Sequence, residues 1–96
     1  MIEVVNPEGS AFPGLSQAAI ARDGDLMFLT GQVGTDASGE IGEDDFEAQV
    51  RAAFANIERT LAAAGVGFDA LLRLTYYLTD YSPEMITIIK KVRQPF

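Results

Sequence analysis

An unbroken apolar run at residues 26–29 is followed directly by Thr30, Gly31 and Gln32. Gly24 precedes it. A short apolar run bounded by glycines is typical of a strand that is buried on both faces. Glycine lets another molecule approach the backbone closely, and Thr30 and Gln32 supply hydrogen-bonding groups. The pattern therefore indicates either a ligand site at the end of a strand or a simple turn.

Two further strands are predicted before this run. Residues 2–5 fit a short edge strand, and residues 17–22 alternate loosely between apolar and polar positions. The Arg-Asp-Gly-Asp sequence at residues 22–25 is typical of a tight turn, so we expect residues 17–22 to pair with residues 26–30 as a hairpin.

The clearest element of the chain is an amphipathic helix. Its apolar stripe consists of Phe46, Val50, Ala53, Phe54, Ile57, Leu61 and Ala64. Asp44 as the N-cap with Glu47 three residues later resembles a capping box, and Gly65 is placed to end the helix. Such a stripe usually packs against a core, and we interpret it in that way.

Residues 70–79 predict a long strand with two different faces. One face carries Leu72, Leu74, Tyr76 and Leu78. The other carries Leu71, Arg73, Thr75, Tyr77 and Thr79. The first face suits packing against helices, whereas the second is either open to water or in contact with another subunit.

A second helix is predicted to begin after Ser82, because serine can act as an N-cap and Pro83 suits the first helical position. Its apolar stripe consists of Met85, Ile88, Ile89 and Val92. The order strand, strand, strand, helix, strand, helix predicts a single α+β domain with two helices on one face of a mostly antiparallel sheet.

Composition excludes several kinds of function. The 96 residues include no histidine and no cysteine, which removes the Ser-His-Asp triad, thiolate chemistry and most zinc sites. The net charge of -7 argues against a nucleic-acid partner. No apolar run approaches the roughly 20 residues of a membrane helix, so we expect no membrane partner. The N-terminus lacks a signal-type core, which predicts a cytoplasmic protein.

Acidic residues crowd one stretch with no cation among them. They are Asp36, Glu40, Glu43, Asp44, Asp45 and Glu47. A divalent-metal loop is one interpretation, and a solvated acidic loop that leads into the helix is the other. We favour the solvated loop and predict no metal site, because the spacing does not match the alternating ligands of a calcium loop.

Several segments together resemble the RidA (YjgF, or Rid) family. They are Ser16-Gln17-Ala18 after a proline-glycine loop, Leu29-Thr30-Gly31-Gln32, the Gly39-Glu40-Ile41 turn, residues 49–64 with Ala63-Ala64-Gly65 at their end, and residues 72–80 with Leu78-Thr79-Asp80 at their end. Each motif is weak alone, but they match in order and spacing over almost the whole chain. The resemblance implies a chorismate-mutase-like α+β fold in a homotrimer whose sheets close a central barrel.

The resemblance also implies an activity. The family is best known for hydrolysing reactive enamine and imine intermediates, such as 2-aminoacrylate, to 2-oxo acids and ammonia without a cofactor. The small-molecule ligand lies in a cleft between subunits, where an arginine binds its carboxylate and a backbone carbonyl with a late glutamate positions water. The alternatives are a non-catalytic trimer that binds a small metabolite, and a ribonuclease, against which the acidic charge argues.

The family's cleft residues correspond to some positions of this chain. Thr30 stands where the family has a serine or threonine, and Gly31 stands on its glycine. Leu15 stands about where the deaminases have a tyrosine, and Ile88 or Ile89 stands where many members have an asparagine. The resemblance thus implies that these five residues contact the substrate, and it assigns no catalytic residue.

The resemblance gives a role to the semi-polar face of residues 70–79. Arg73, Thr75 and Tyr77 are the implied subunit interface on the barrel side. Family members continue past the second helix into two strands that carry the arginine and the glutamate. Because the sequence stops at Phe96, we expect a C-terminally incomplete domain, completed by a missing tail, a partner chain or an adapted fold, and we favour the tail.

Overall fold

A computed structural model describes residues 2–10, 16–34 and 45–96 of the chain. Its elements, in order, are β1 (Ile2–Val5), β2 (Ala18–Ala21), α1 (Phe46–Ala63), a 3₁₀ turn (Phe68–Ala70) and α2 (Pro83–Arg93). A sheet combined with two helices agrees with the predicted α+β class. In the described ranges, neither helix has the length and apolar character that crossing a membrane requires.

The end of α1 confirms the role predicted for Gly65. Its φ is +79°, a left-handed conformation that glycine adopts without steric cost. The Gly65 amide donates to the Ala62 carbonyl at 2.9 Å, and the Val66 amide donates to the Leu61 carbonyl at 3.0 Å. Both hydrogen bonds of a Schellman motif are therefore present, and they satisfy carbonyls that the helix end would leave without partners.

The start of α1 differs from the prediction. Asp45 is the N-cap, and its side chain makes no capping hydrogen bond. The predicted capping box of Asp44 and Glu47 is wrong, because the helix begins one residue later. The Glu47 carboxylate instead forms ion pairs with two basic side chains. Oε2 of Glu47 accepts from Arg51 at 3.0 Å, and Oε1 accepts from Lys91 at 3.1 Å.

The core lies where α1 packs on α2. The buried apolar side chains are Phe54, Ile57, Leu61, Ile89 and Val92. All of them belong to the two predicted apolar stripes, so the interpretation of the α1 stripe as a packing surface is confirmed, and the α2 stripe is its packing partner.

An aromatic cluster extends this core beyond the two helices. The ring of Phe54 lies 6.1 Å from that of Phe68, 6.5 Å from that of Tyr76 and 5.3 Å from that of Phe96, between centroids. The rings of Phe68 and Phe96 are 4.8 Å apart. Aromatic pairs at these distances add to the stability that burial provides.

The sheet pairs different strands from those predicted. β1 and β2 are antiparallel, with Ile2 opposite Ala21 and Val5 opposite Ala18. The predicted hairpin between residues 17–22 and 26–30 is therefore wrong, although the chain does bend at Asp23, whose φ is +53°.

Residues 26–30 and 71–79 form no strand, so two predicted strands are also wrong. The run at residues 26–29 is not buried on both faces, since Leu26 is exposed and the Phe28 side chain is 88% exposed. A strand requires a neighbour that completes its hydrogen bonds, and the described sheet contains only β1 and β2. The periodicity of a sequence shows that a segment could form a strand, but it does not show whether a neighbouring strand is present.

The ion pairs of Glu47 should make the packing of α1 on α2 sensitive to acid. Hydrogen bonds from Lys91 and Arg51 hold the pKa of Glu47 below its usual value of 4.5. A depressed folded-state pKa stabilises the fold above the unfolded-state value, and this stabilisation is lost as the pH falls through the folded-state value. We therefore expect Glu47→Gln to reduce the loss of thermal stability on acidification below pH 4.5.

The matched control for Glu47→Gln is Glu58→Gln. Glu58 is exposed on the same helix and forms no ion pair within the described ranges. Melting temperatures measured across this pH range should respond to Glu47→Gln and not to Glu58→Gln. An identical response of the two variants would contradict a specific role for the Glu47 ion pairs.

Candidate functional site

A cavity of about 1000 Å³ separates α1 from two irregular segments, residues 24–34 and 70–78. The wall that α1 contributes is mainly apolar and consists of Phe46, Gln49, Val50, Ala53, Phe54, Ile57 and Leu61. Polar groups are few. A large apolar cavity with a small number of polar groups is the form that small-molecule sites usually take.

Thr30, Gly31 and Gln32 all line this cavity. Nε2 of Gln32 donates to the Thr30 carbonyl at 3.1 Å and lies 3.5 Å from the Thr30 hydroxyl oxygen. A Cβ atom built on Gly31 would meet no atom within 4 Å. The Gln32 amide thus fixes the turn of the segment, while the space beside Gly31 is open to a ligand.

Three of the residues implied as substrate contacts come together here. Thr30, Gly31 and Ile89 line the cavity. Ile88, which is half-buried, is absent from the lining in the described part of the chain. Leu15 lies outside the described residues. Contact of these residues with a ligand stays a prediction.

The predicted interface residues lie around the same cavity. Arg73, Thr75 and Tyr77 line it, and all three are exposed in the single chain. The Tyr77 side chain is 94% exposed. In one chain, therefore, the predicted ligand residues and the predicted interface residues border a common space.

Three charged side chains line the cavity, namely Arg22, Asp25 and Arg73. Arg22 binds Glu3, with 3.0 Å between Nε and Oε2. Arg73 has no hydrogen bond or ion pair to another residue of the described ranges. Because guanidinium groups bind carboxylates with charge-assisted hydrogen bonds, Arg73 is the lining residue best suited to an anionic group, whereas Asp25 adds a negative charge to the same lining.

Of the acidic stretch, Asp45 and Glu47 lie within the described ranges. Asp36, Glu40, Glu43 and Asp44 lie outside the described residues. Among the residues inside those ranges, no group of three or more acidic side chains could hold a metal ion.

Sequence reasoning did not single out Asn56, a polar residue buried in α1. Its Nδ2 donates to the Val33 carbonyl at 2.9 Å, and its Oδ1 accepts from Nη2 of Arg59 at 2.6 Å. Asn56 thereby connects α1 to the segment that carries Thr30 and Gly31. The available signal was an amide inside an otherwise apolar helical stripe, between Ala53 and Ile57.

Comparison with known proteins places this chain in a family. Residues 9–95 match the sequence model described as Endoribonuclease L-PSP. A crystal structure of YyfB from Yersinia pestis, a protein of unknown function in the conserved Rid family, superimposes with a TM-score of 0.81 at 31% identity. The match covers 95% of this chain and 72% of YyfB. The chain belongs to the Rid family.

Two curated relatives extend the comparison. The RutC family protein YjgH of Escherichia coli is 49% identical over 63 residues, which cover 66% of this Rid chain and 47% of YjgH. The RutC family protein PH0854 of Pyrococcus horikoshii is 32% identical over 81 residues, which cover 83% of this chain and 64% of PH0854. The chain thus spans about half to two thirds of the length of these relatives.

The Rid-type α+β fold is therefore confirmed, even though the sheet within the described ranges consists of two strands. Both helices lie where the apolar stripes of the sequence predicted them. Three of the five residues implied as substrate contacts line the cavity between α1 and the segments expected to be strands, namely Thr30, Gly31 and Ile89.

Proposed function

We propose that this chain forms part of a Rid-type enzyme that hydrolyses reactive enamine and imine intermediates to 2-oxo acids and ammonia, at a cleft between the subunits of a homotrimer. One observation carries the proposal: Thr30 and Gly31, the positions of the family's cleft residues, line a large apolar cavity. Membership of the Rid family supports the reaction class, because hydrolysis of such intermediates is the activity that the resemblance to this family implies.

The proposed reaction balances without an oxidant or a reductant. 2-Aminoacrylate first moves a proton to its terminal carbon and becomes an imine. Water then adds to the carbon of the C=N bond, and the resulting tetrahedral intermediate forms a C=O bond and expels ammonia. One water molecule is consumed and one ammonia molecule is released, so the protein has to position reactants and transfer protons.

The lining is suited to part of this task. The Thr30 hydroxyl can donate to or accept from a substrate at the cavity surface. Apolar walls exclude competing water and strengthen the hydrogen bonds that remain. The Arg73 guanidinium can pair with the carboxylate that a 2-oxo acid and its imine share.

A second candidate function is binding without turnover. Ile89 lines the cavity at a position where the resemblance places an asparagine in many members. Replacing an amide by a branched alkyl side chain removes two donors and one acceptor, and it makes the cleft more hydrophobic. A trimer of this kind would hold a small metabolite and leave it unchanged.

Turnover of 2-aminoacrylate distinguishes the two candidates. A pyridoxal-phosphate enzyme acting on serine can generate 2-aminoacrylate in the assay, and release of 2-oxo acid is followed with and without the purified protein. Acceleration above the spontaneous rate supports the enzyme. Calorimetric binding of pyruvate without acceleration supports the binding module, and the absence of both contradicts the two proposals.

Thr30→Val tests the assigned site within this assay. Valine keeps the shape of threonine but removes the hydroxyl, and losing one hydrogen bond costs about 0.5–1.5 kcal/mol, or roughly a two- to tenfold loss in kcat/KM. The matched control is Thr87→Val, because Thr87 is exposed on α2 and outside the cavity lining. An active wild type with an equally active Thr30→Val variant would move the site elsewhere.

A further inference from the structure

We propose that Asn56 is a positioning residue for the cavity. From inside α1 it holds residues 31–34 against the helix and so determines where Thr30 and Gly31 face a ligand. Asn56 does not itself line the cavity. Its effect on ligands rests on the proposed function, whereas its effect on the segment does not.

The first observation is the hydrogen bonding of the Asn56 side chain. Asn56 is buried, with 8% of its surface exposed. Its amide donates to the Val33 carbonyl at 2.9 Å, and its oxygen accepts from Arg59 at 2.6 Å. Arg59 therefore orients the amide so that the donor faces the segment. The Val33 side chain is exposed, so apolar burial of Val33 does not hold this part of the chain in place.

The second observation is the close approach of Gly34 to α1. A Cβ atom built on Gly34 would lie 2.8 Å from the Gln49 carbonyl oxygen and 2.9 Å from the Gln49 Cα atom. Such distances admit glycine alone unless the backbone shifts. Residues 49 and 56 are seven positions apart on α1 and share one face of the helix. The segment is thus fixed to that face at two neighbouring points.

A short stretch of backbone connects the Asn56 hydrogen bond to the residues that line the cavity. Val33 is three residues from Thr30, and between them Gln32 closes the turn by donating to the Thr30 carbonyl at 3.1 Å. A shift of Val33 therefore displaces Thr30 and Gly31 together. Ligand affinity depends on such placement, because a cleft binds tightly when its polar groups are already in position.

Asn56→Asp is the sharpest variant for a test. Aspartate keeps the shape of asparagine and the acceptor for Arg59, but it replaces the donor to Val33 with a second oxygen. The matched control is Thr60→Val, because the Thr60 hydroxyl donates to the Asn56 carbonyl at 3.0 Å, one turn along the same helix. Asn56→Ala removes the donor without adding a charge and serves if the aspartate variant does not fold.

Backbone ¹⁵N order parameters measure the effect without any ligand. In Asn56→Asp or Asn56→Ala we expect values at residues 31–34 to fall from about 0.85 to below about 0.6, with α1 unchanged. Thr60→Val should leave both regions as in the wild type. Unchanged values at residues 31–34 in the Asn56 variants would overturn the proposal, and so would equal loosening of α1.

A calorimetric titration with pyruvate tests the consequence for ligands. We expect the dissociation constant to rise about tenfold in Asn56→Asp and to stay unchanged in Thr60→Val. A wild type that neither binds pyruvate nor turns over 2-aminoacrylate would contradict the proposed function alone, because the order parameters would still decide whether Asn56 positions the segment.

Discussion

Phe54→Ala should destabilise the folded chain by about 3–5 kcal/mol, the usual cost of truncating a buried phenylalanine. Phe54 is 4% exposed and its ring packs against three other aromatic rings. Alanine would leave a cavity at the place where α1, the 3₁₀ turn and the C-terminal residues meet. Because domains are stable by only about 5–15 kcal/mol, the loss should be visible in urea unfolding as a lower midpoint at an unchanged slope.

The control for Phe54→Ala is Phe96→Ala. Both residues belong to the same aromatic cluster, with ring centroids 5.3 Å apart, but Phe96 is 41% exposed. Its truncation removes less buried area and leaves a space that water can fill, so the destabilisation should be clearly smaller. The two variants are compared at one protein concentration, because assembly adds to apparent stability. Equal losses would contradict a core centred on α1.

The helices could be predicted from the sequence because their determinants are local. The apolar stripe of α1, the glycine at position 65 and the proline at position 83 each act within a few residues, through hydrogen bonds that the helix makes with itself. The start of α1 was predicted one residue early. Asp44 and Asp45 are chemically equivalent caps, and the sequence does not distinguish them.

The strands were harder to predict because their determinants are distant. Residues 26–29 and 70–79 have the side chains of strands, yet neither segment pairs with another within the described ranges. β1 and β2 do pair with each other. After the bend at Asp23, however, β2 forms no hydrogen-bonded ladder with residues 26–30. Strand pairing depends on which other segment is available as a partner. The alternation of apolar and polar residues along one segment does not identify that partner.

The residues of the candidate site also differ in whether the determinants of their role are local or distant. Thr30 and Gly31 were predicted from the apolar run that precedes them and from the family resemblance, and both line the cavity. Asn56 was missed, because its meaning lies in a hydrogen bond to Val33, 23 positions earlier. A buried amide becomes interpretable only when its partner is known, since an amide within an apolar stripe predicts no particular contact by itself.

The exposed apolar surface of the single chain bears on the proposed homotrimer. Leu26, Phe28, Leu72 and Tyr77 are large side chains that lie open on the two irregular segments beside the cavity. Stable monomers rarely leave apolar surface of this kind uncovered. A second copy of the chain that covers these segments would bury them and would close the cavity into a cleft between subunits.

Tyr77→Glu should therefore convert the proposed homotrimer into monomers. Tyr77 is 94% exposed in one chain, and the resemblance implies that it faces the central barrel. A carboxylate forced into such an interface would lie near its copies in the other two subunits, where desolvation and mutual repulsion cost several kcal/mol. We expect sedimentation velocity to show a species with the mass of one chain.

The matched control is Tyr81→Glu, which introduces the same charge at another exposed tyrosine that lies outside the cavity lining. This variant should sediment as the wild type does. A trimer that survives Tyr77→Glu would show the interface assignment to be wrong, and a monomeric wild type would contradict the homotrimer itself.

If the cleft needs two subunits, hydrolysis of 2-aminoacrylate should disappear with the trimer in Tyr77→Glu and persist in Tyr81→Glu. Loss of assembly with full activity would instead place the whole site within one chain.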